Sequence, residues 1–558
     1  MSSVEPSKLE TQQWQGMNPP PGGWRRKVDI TDYAVAHGWQ HWPTDHEFYT
    51  WAREQMGEDF IDPRSPDTGT TPDDDPHDIH EPAPARPAAT ATIEAADEKF
   101  PTLTDSGNGE RLARRHRNRA LYCEGSGWHV WTGRRWKHDP EAHRVRRLAT
   151  DTARRIADEV GHPAGDKALY SWAARSLSKT AKDHMITEAA PLLLVPGDKL
   201  DQHPDLLNCR NGVVDLRTGK LRPHDPALHM TRISPANYDP SATCPRWERF
   251  IEEVIPDDAV RDFVQCAVGY SLTGATSEQC FFFLHGGGRN GKSVFVDVIR
   301  AMLGDYSTTL SEGFLLRGQE AHKKEEASVA LVGVRMATAS EAGEGRGFDE
   351  PHIKRLTGGD TVTGRMLRHH KFDFRPQAKI WIAANHKPTV RGTDLGIWRR
   401  FRMIPFEVQI PESQVDKGLG VKLRGELDGI MAWAVKGAVR WFAEGLQSPA
   451  AVDCAVDAYK GESDIVGRWL EEKCDLTDPN RTTPTDVLYS NFGVWARDAG
   501  ERWIPNKLQF ARRLGEHGVG VKHTRNGSLR TGVGLLPLQV SLPGGSQPFT
   551  GFPNDSGY

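Results

Sequence analysis

The sequence predicts an α/β protein: a parallel-sheet domain built around a phosphate-binding loop, preceded by an α+β domain and followed by a small helical unit with a hairpin. Three observations predict it. The apolar run 281–284 passes through "HGGGRNGKS" into a helical pattern at 292–303, which is the strand, glycine loop and helix order that a phosphate loop requires. Two further apolar stretches, "RMATAS" (335–340) and "AKIWIAAN" (378–385), read as buried strands with polar residues at or just beyond their ends. Residues 463–536 read as three helices and then a hairpin turning at Asn526-Gly527.

At 558 residues the chain is too long for one ordinary domain, so three or four units are expected. A net charge of −4 and a pI near 6.6 mean that any polyanion partner must be argued from local patches and not from the total. The seven cysteines include no CxxC pair. That argues against a zinc ribbon or a disulfide framework and for a reducing cytoplasm. The start "MSSVEPSKLETQQWQG" lacks an apolar core, and no run approaches the roughly 18 apolar residues of a membrane span. A soluble intracellular protein with no membrane partner is predicted.

Residues 1–57 are Trp-rich, with room for two short helices but not for a confident core. Residues 58–98 are rich in Pro, Asp, Ala and Thr and are predicted to be a disordered acidic linker. From 99 to 245 an α+β domain is expected. It has a basic helix in "GERLARRHRNRALYC", a hairpin turning at Gly133, helical periodicity over 141–190, and a second hairpin around Thr218-Gly219. No catalytic constellation stands there, so a structural or docking role is the plain expectation. The phosphate-loop domain spans 246–450, the helix-and-hairpin unit 451–540, and a polar tail 541–558.

The loop residues Gly286, Gly287, Gly288, Arg289, Asn290, Gly291, Lys292, Ser293 and Val294 are the candidate nucleotide contacts. Glycines let backbone N–H groups turn onto phosphate oxygens, and the helix start adds its positive dipole end. Lys292 is expected on the β/γ-phosphates, and the Ser293 hydroxyl on Mg²⁺. ATP and Mg²⁺ are the cofactors these residues suit. Glu341, just past strand 335–340, is a candidate for metal and for polarising a water, or is an ordinary strand-end carboxylate. Glu344 assists or is a solvated loop charge. Asn385 suits a γ-phosphate sensor that orients the attacking water, although Asn at a strand end also serves local backbone needs. Arg399 and Arg400, after a Trp and before a strand, suit an arginine finger, with Arg400 slightly preferred. A finger acting on a neighbour's ATP requires a ring.

Loop 286–293, Glu341, the block "IKRLTGGDTVTGRMLRHHKFDFRPQAK" (353–379), Asn385 and "IWRRFRMIPF" (397–406) follow one another in close spacing. In this order they resemble the superfamily 3 helicases, specifically the phage/plasmid and poxvirus-type primase–helicase family, over roughly 190–540. The resemblance implies an AAA+-like core and an ATP-driven, normally hexameric translocase moving 3′→5′ on single-stranded DNA. It also implies that Lys354, Arg365, His369, His370 and Lys371 sit on or near a hairpin facing a central channel. The residues support that grip independently: Arg365, Arg368, Lys371, Arg375 and Lys379 are cationic, and His369, His370 and Phe372 offer rings for stacking.

Family members often carry a primase module upstream, whereas residues 1–57 show at most a faint likeness to the tail that follows one. Priming by this chain alone is not expected, and a separate primase or polymerase is an expected partner. In the C-terminal unit, Arg512, Arg513, Lys522 and Arg525 give the helix and hairpin a positive face. That is a winged-helix pattern suited to forked DNA, or a partner-docking module. The expectation is a replicative DNA helicase of a phage or mobile element, acting in a bacterial cytoplasm. Its rivals are an initiator or loader that uses ATP for assembly, and a small-molecule phosphotransferase.

Overall fold

The computed structural model describes residues 100–311, 313–340, 347–365, 371–390, 395–501, 503–525 and 527–537. The chain divides into a unit ending at Pro101 and a second beginning at Thr102, and all elements below belong to the second. Residues 1–57, the whole expected linker 58–98 and the tail 541–558 lie outside the described residues.

The first layer is α+β. Helix α1 (Asp105–His116) starts where the Thr104 side chain accepts the Gly107 N–H. Strands β1 (Ala120–Cys123), β2 (Gly127–Trp131) and β3 (Trp136–His138) follow, with Gly133 in the left-handed region at φ +92° in the expected turn. Helices α2 (His143–Arg155), α3 (Asp166–Ser176) and α4 (Lys179–Ala189) fill the span of helical periodicity. Strand β4 (Leu194–Val195) then adds parallel to β1, giving the order β3-β2-β1-β4. Leu112, Val145, Leu148 and Met185 close the core between helices and sheet.

The expected single hairpin near 206–222 is a three-stranded meander instead: β5 (Leu206–Cys209), β6 (Gly212–Asp215) and β7 (Lys220–Arg222). Its extra turn lies at Arg210-Asn211, directly before Gly212, an Asn-Gly signal as strong as the Thr218-Gly219 one.

Helices α5 (Pro245–Val254) and α6 (Asp258–Leu272) lead into β8 (Phe281–His285) and α7 (Lys292–Leu303). Strand β9 (Ser307–Thr309), helix α8 (Ala321–Ser328), β10 (Met336–Ser340) and α9 (Glu350–Thr357) come next. A separate hairpin, β11 (Val362–Arg365) with β12 (Lys371–Phe374), precedes β13 (Lys379–Ala384), the short α10 (Leu395–Trp398) and β14 (Phe401–Pro405). The five-stranded sheet runs β14-β8-β13-β10-β9 with every pairing parallel. Phe282 and Leu284 join the core on one face, while Phe281 and Phe283 join the core on the other. A central parallel strand must be apolar on both sides, which explains the unbroken run of β8. Phe282 stacks on Trp381 of β13 at 4.3 Å, and the Trp381 indole N–H bonds the Ser271 hydroxyl of α6 at 3.0 Å.

Beyond the sheet lie α11 (Leu419–Arg424), α12 (Leu427–Glu444) and α13 (Ala450–Ser463). The last unit contains α14 (Ile465–Lys473), β15 (Cys474–Asp475), β16 (Thr482–Pro484), α15 (Thr485–Asp498), α16 (Lys507–Glu516), β17 (Gly520–Thr524), β18 (Gly527–Thr531) and β19 (Gly534–Leu535). The β17–β18 hairpin is widened by β16, and β15 pairs with β19. These strands of two or three residues are too short to leave a periodic signal.

Two buried histidines set a pH limit on this fold. His116 bonds Thr152 at 3.1 Å, and burial, followed by the Arg119 charge, pushes its pKa down to about 4. His352, edge-on to Phe314, is also pushed down to about 4, by burial and then Lys324. Both therefore stay neutral when folded, whereas an unfolded imidazole takes up a proton near 6.5. Stability from this source is complete above pH 6.5 and is lost as pH falls toward 4. Denaturant midpoints should drop between pH 7.5 and 5, and His116→Gln should shrink the drop; equal midpoints at both pH values would contradict it.

Candidate nucleotide and nucleic-acid sites

Register builds the first site. His285 pairs with Ala384 of β13 and with Pro405 of β14. The chain therefore leaves the three strands at one level, at Gly286, Asn385 and Phe406. The Phe406 N–H bonds the His285 carbonyl at 2.7 Å, and the Asn290 amide donates to the Phe406 carbonyl at 2.9 Å. A β-carbon on Gly286 would stand 2.0 Å from that carbonyl oxygen, so only glycine fits. Gly288, Arg289 and Gly291 take left-handed φ values of +93°, +49° and +83°, which turn the loop back onto the start of α7.

Lys292 begins that helix and is 5 % exposed. Its ammonium donates to the Gly286 carbonyl at 2.8 Å, to Asn290 Oδ1 at 3.0 Å and to Asn385 Oδ1 at 3.0 Å. Two sequence candidates 93 residues apart thus share one hydrogen bond. Ser293 is exposed in the first helical turn, Val294 is half-buried, and exposed Arg289 faces Glu412 at 3.4 Å. Sequence reasoning missed His285 and Lys387. Burial, and then the Lys387 and Lys292 charges, hold the His285 imidazole below its ordinary pKa. Lys387 itself pairs with Glu462 at 2.7 Å. The strand ends therefore gather cations around a glycine loop at a helix start, an arrangement that attracts phosphate oxygens. The exposed Ser293 hydroxyl is a hard oxygen of the kind Mg²⁺ takes. Glu341 and Glu344 lie outside the described residues.

Arg399 and Arg400 lie at the other end of the sheet. The Arg400 carbonyl accepts the N–H of Phe281, the first residue of β8, so both arginines sit about one strand length from the loop. The two differ in exposure, and Arg400 is the buried one. It is 8 % exposed and its guanidinium donates to the Gly396 carbonyl at 2.7 Å. Arg399 is the exposed member of the pair, 3.4 Å from Gln279 Oε1.

The hairpin of the 353–379 block sets Arg365 directly opposite Lys371 at its outer end, both exposed. Lys371 pairs with Glu325 at 2.9 Å, and Lys354 is half-buried in the last turn of α9. Arg368, His369 and His370 lie outside the described residues. Lys379 does not belong to this surface. It is buried, donating to the carbonyls of Thr273, of Ala275 at 3.1 Å and of Gln377 at 2.9 Å, with its ammonium over the Tyr270 ring. In the C-terminal unit, Arg512, Lys522 and Arg525 are exposed, but Arg513 is 5 % exposed with its guanidinium over Trp503. Arg513 is thus packed inside this unit, whereas the other three lie on its surface.

Residues 109–256 match the family described as D5 N terminal like. These residues are a D5 N-terminal-like domain, of the kind found in primase–helicases. Residues 284–400, which hold the loop, match a family described only as of unknown function. The chain is 25 % identical over 391 residues to the "Putative helicase L207/L206" of Acanthamoeba polyphaga mimivirus, covering 65 % of this chain and 41 % of that protein. It is 25 % identical over 373 residues to the "Putative helicase 184R" of Invertebrate iridescent virus 6, covering 59 % and 38 %. The "Putative primase C962R" of African swine fever virus matches at 26 % over 211 residues, covering 36 % and 22 %. The chain thus spans less than half the length of these curated relatives. The C-terminal region of NrS-1 overlays 53 % of this chain and 76 % of that one at 11 % identity, with a TM-score of 0.35 that is too low to bear on the fold. No helix among the described residues is long and apolar enough to cross a membrane.

The burial of Lys379 generates a test. Lys379→Met leaves three carbonyls without their donor, which should cost about 3 kcal/mol or more. Urea unfolding should show that loss, while DNA affinity measured under native conditions stays at the parent value; a loss of affinity with parent stability would return Lys379 to the DNA surface.

Proposed function

We propose that this chain is an ATP-driven replicative DNA helicase of the primase–helicase family, working as a ring on single-stranded and forked DNA. One observation carries the reading: the Lys292 ammonium, seated in a glycine loop at a helix start, is hydrogen-bonded to Asn385 at the end of the neighbouring parallel strand. The sheet order β14-β8-β13-β10-β9, with the loop after its second strand from the edge, supports an AAA+-like superfamily 3 core. Lys292 would exchange its protein oxygens for the β- and γ-phosphates. Asn385, beside it, would orient the attacking water, and Glu341 would accept that water's proton. Mg²⁺, held by Ser293 and Glu341, would neutralise charge on the β- and γ-phosphate oxygens.

The distance between the loop and the arginine pair within one subunit supports a finger acting across a subunit interface, with Arg399 now preferred. Arg365, His369, His370 and Lys371 are assigned to a hairpin that tracks one strand, with Lys354 near it, and 3′→5′ movement is expected from the family resemblance. The unit 451–540 is read as a winged helix that meets forked DNA through Arg512, Lys522 and Arg525. A separate primase or polymerase would supply priming.

Steady-state ATPase with and without single-stranded DNA, and strand displacement on forks of both polarities, test the reading directly. DNA-stimulated turnover and unwinding of one fork polarity are expected. Turnover that ignores DNA, with no unwinding, would favour a loader. Lys292→Ala should abolish hydrolysis, whereas Glu341→Gln should bind ATP without hydrolysing it; near-parent turnover by Glu341→Gln would move the role to another carboxylate.

The finger has its own test. Arg399→Ala should lower the ATPase rate by about 10³-fold in assembled protein. Mixing it with Lys292→Ala should restore part of the rate, because some interfaces then combine an intact loop with an intact finger. Mixed assemblies with no regained activity would exclude a finger in trans.

A further inference from the structure

The basic helix of the α+β domain has no place in the reading so far. Helices α1 and α2 end side by side: His116 Nε2 lies 3.1 Å from Thr152 Oγ1, and the Arg115 guanidinium donates to the Arg155 carbonyl at 3.1 Å. The last turn of each helix carries arginines, Arg114 and Arg115 on α1, Arg154 and Arg155 on α2. Arg117 and Arg119 follow α1 directly.

Some of these arginines are structural. Arg111 is buried against Glu159 at 2.8 Å, and Arg115 also reaches Glu159, at 3.3 Å. Arginine near a helix C-terminus also complements the dipole, which accounts for one or two such residues. It does not account for the rest. The side chains of Arg117, Arg119 and Arg154 make no hydrogen bond or ion pair among the described residues, and Arg117 and Arg154 are exposed. Arg155 is held by an exposed pair one helical turn away, with Asp151 at 3.1 Å, and Arg114 has a pair of the same kind with Glu110 at 3.4 Å. Such pairs contribute at most about 1 kcal/mol, so a phosphate can displace them at little cost. The electrostatic strain already registers inside the domain, where the Arg119, Arg115 and Arg155 charges add to burial in keeping His116 neutral.

We infer that the joined C-terminal ends of α1 and α2 form a second nucleic-acid surface, which grips the DNA phosphate backbone through Arg117, Arg119, Arg154 and Arg155. It lies in a different domain from the phosphate loop and from the β11–β12 hairpin, and it needs no nucleotide. Guanidinium groups without a matching set of carboxylates suit a polyanion read without regard to sequence. The choice of DNA over other polyanions rests on the helicase reading.

The test uses the full chain without nucleotide, binding a labelled single strand and a labelled forked duplex by anisotropy across 50–200 mM salt. The variant Arg117→Ala/Arg119→Ala/Arg154→Ala should bind at least about tenfold more weakly, with the slope of log K against log salt smaller by about 2 to 3. Its basal ATPase and unfolding midpoint should stay at parent values. The matching triple lysine variant should bind like the parent, and Arg154→Glu alone should weaken binding. The two DNA arms show whether strand or duplex is held. Parent affinity and slope in the alanine variant overturn the inference, as do equal losses in the alanine and lysine variants. If Arg365→Ala/Lys371→Ala loses DNA while the arginine variant does not, this inference fails and the helicase reading stands. If the parent binds neither DNA at 50 mM salt, both fail.

Discussion

The structure depends on the shared register of three parallel strands. His285, Ala384 and Pro405 end β8, β13 and β14 at one level, which brings Gly286, Asn385 and Phe406 together. A slip of one residue would turn every side chain of the moved strand to the opposite face. Phe282 would lose Trp381, and Asn385 would lose Lys292. The stacking at the sheet core and the hydrogen bond at the loop are thus held by the same alignment.

The end of the sheet opposite the loop is fixed by cations. Lys379, the first residue of β13, and Arg335, just before β10, are fully buried and point at the end of α6. Lys379 takes the carbonyls of Thr273 and Ala275, and Arg335 takes those of Leu272, at 2.6 Å, and His203, at 3.0 Å. The orphan carbonyls of a helix C-terminus need donors, and here adjacent strands supply them. That demand, and not any demand of DNA, explains a lysine at the head of an otherwise apolar strand.

The same residues show what a sequence makes legible. The strand–loop–helix order of 281–303 could be read because each part obeys a local rule: continuous apolar strand, glycines at left-handed positions, an amphipathic helix. Lys292 and Asn385 could be named from those rules, but their contact across 93 residues required the strand register. The burial of Lys379 and Arg513 is not legible, because charge in a sequence is read as exposure, and a guanidinium over Trp503 or an ammonium among carbonyls leaves no periodic mark. Arg399 and Arg400 are adjacent in sequence but not in environment. The turn between α10 and β14 buries one and exposes the other, because the Arg400 guanidinium folds back onto the Gly396 carbonyl. The three-stranded meander is legible in its two turn signals, Asn211-Gly212 and Thr218-Gly219, only when both are read together.

Strand β8 is tied at both ends to β14. Its first N–H is bound by the Arg400 carbonyl, and its last carbonyl is bound by the Phe406 N–H. The two strands form a stiff strut about 13 Å long, with the arginine pair at one end and the glycine loop at the other. In the proposed ring, a push on the arginines by a neighbour's nucleotide would be passed to the subunit's own loop by tilt of this strut. Each subunit would then sense one nucleotide and act on another through a single mechanical part, and the order of firing around the ring would be set by backbone geometry.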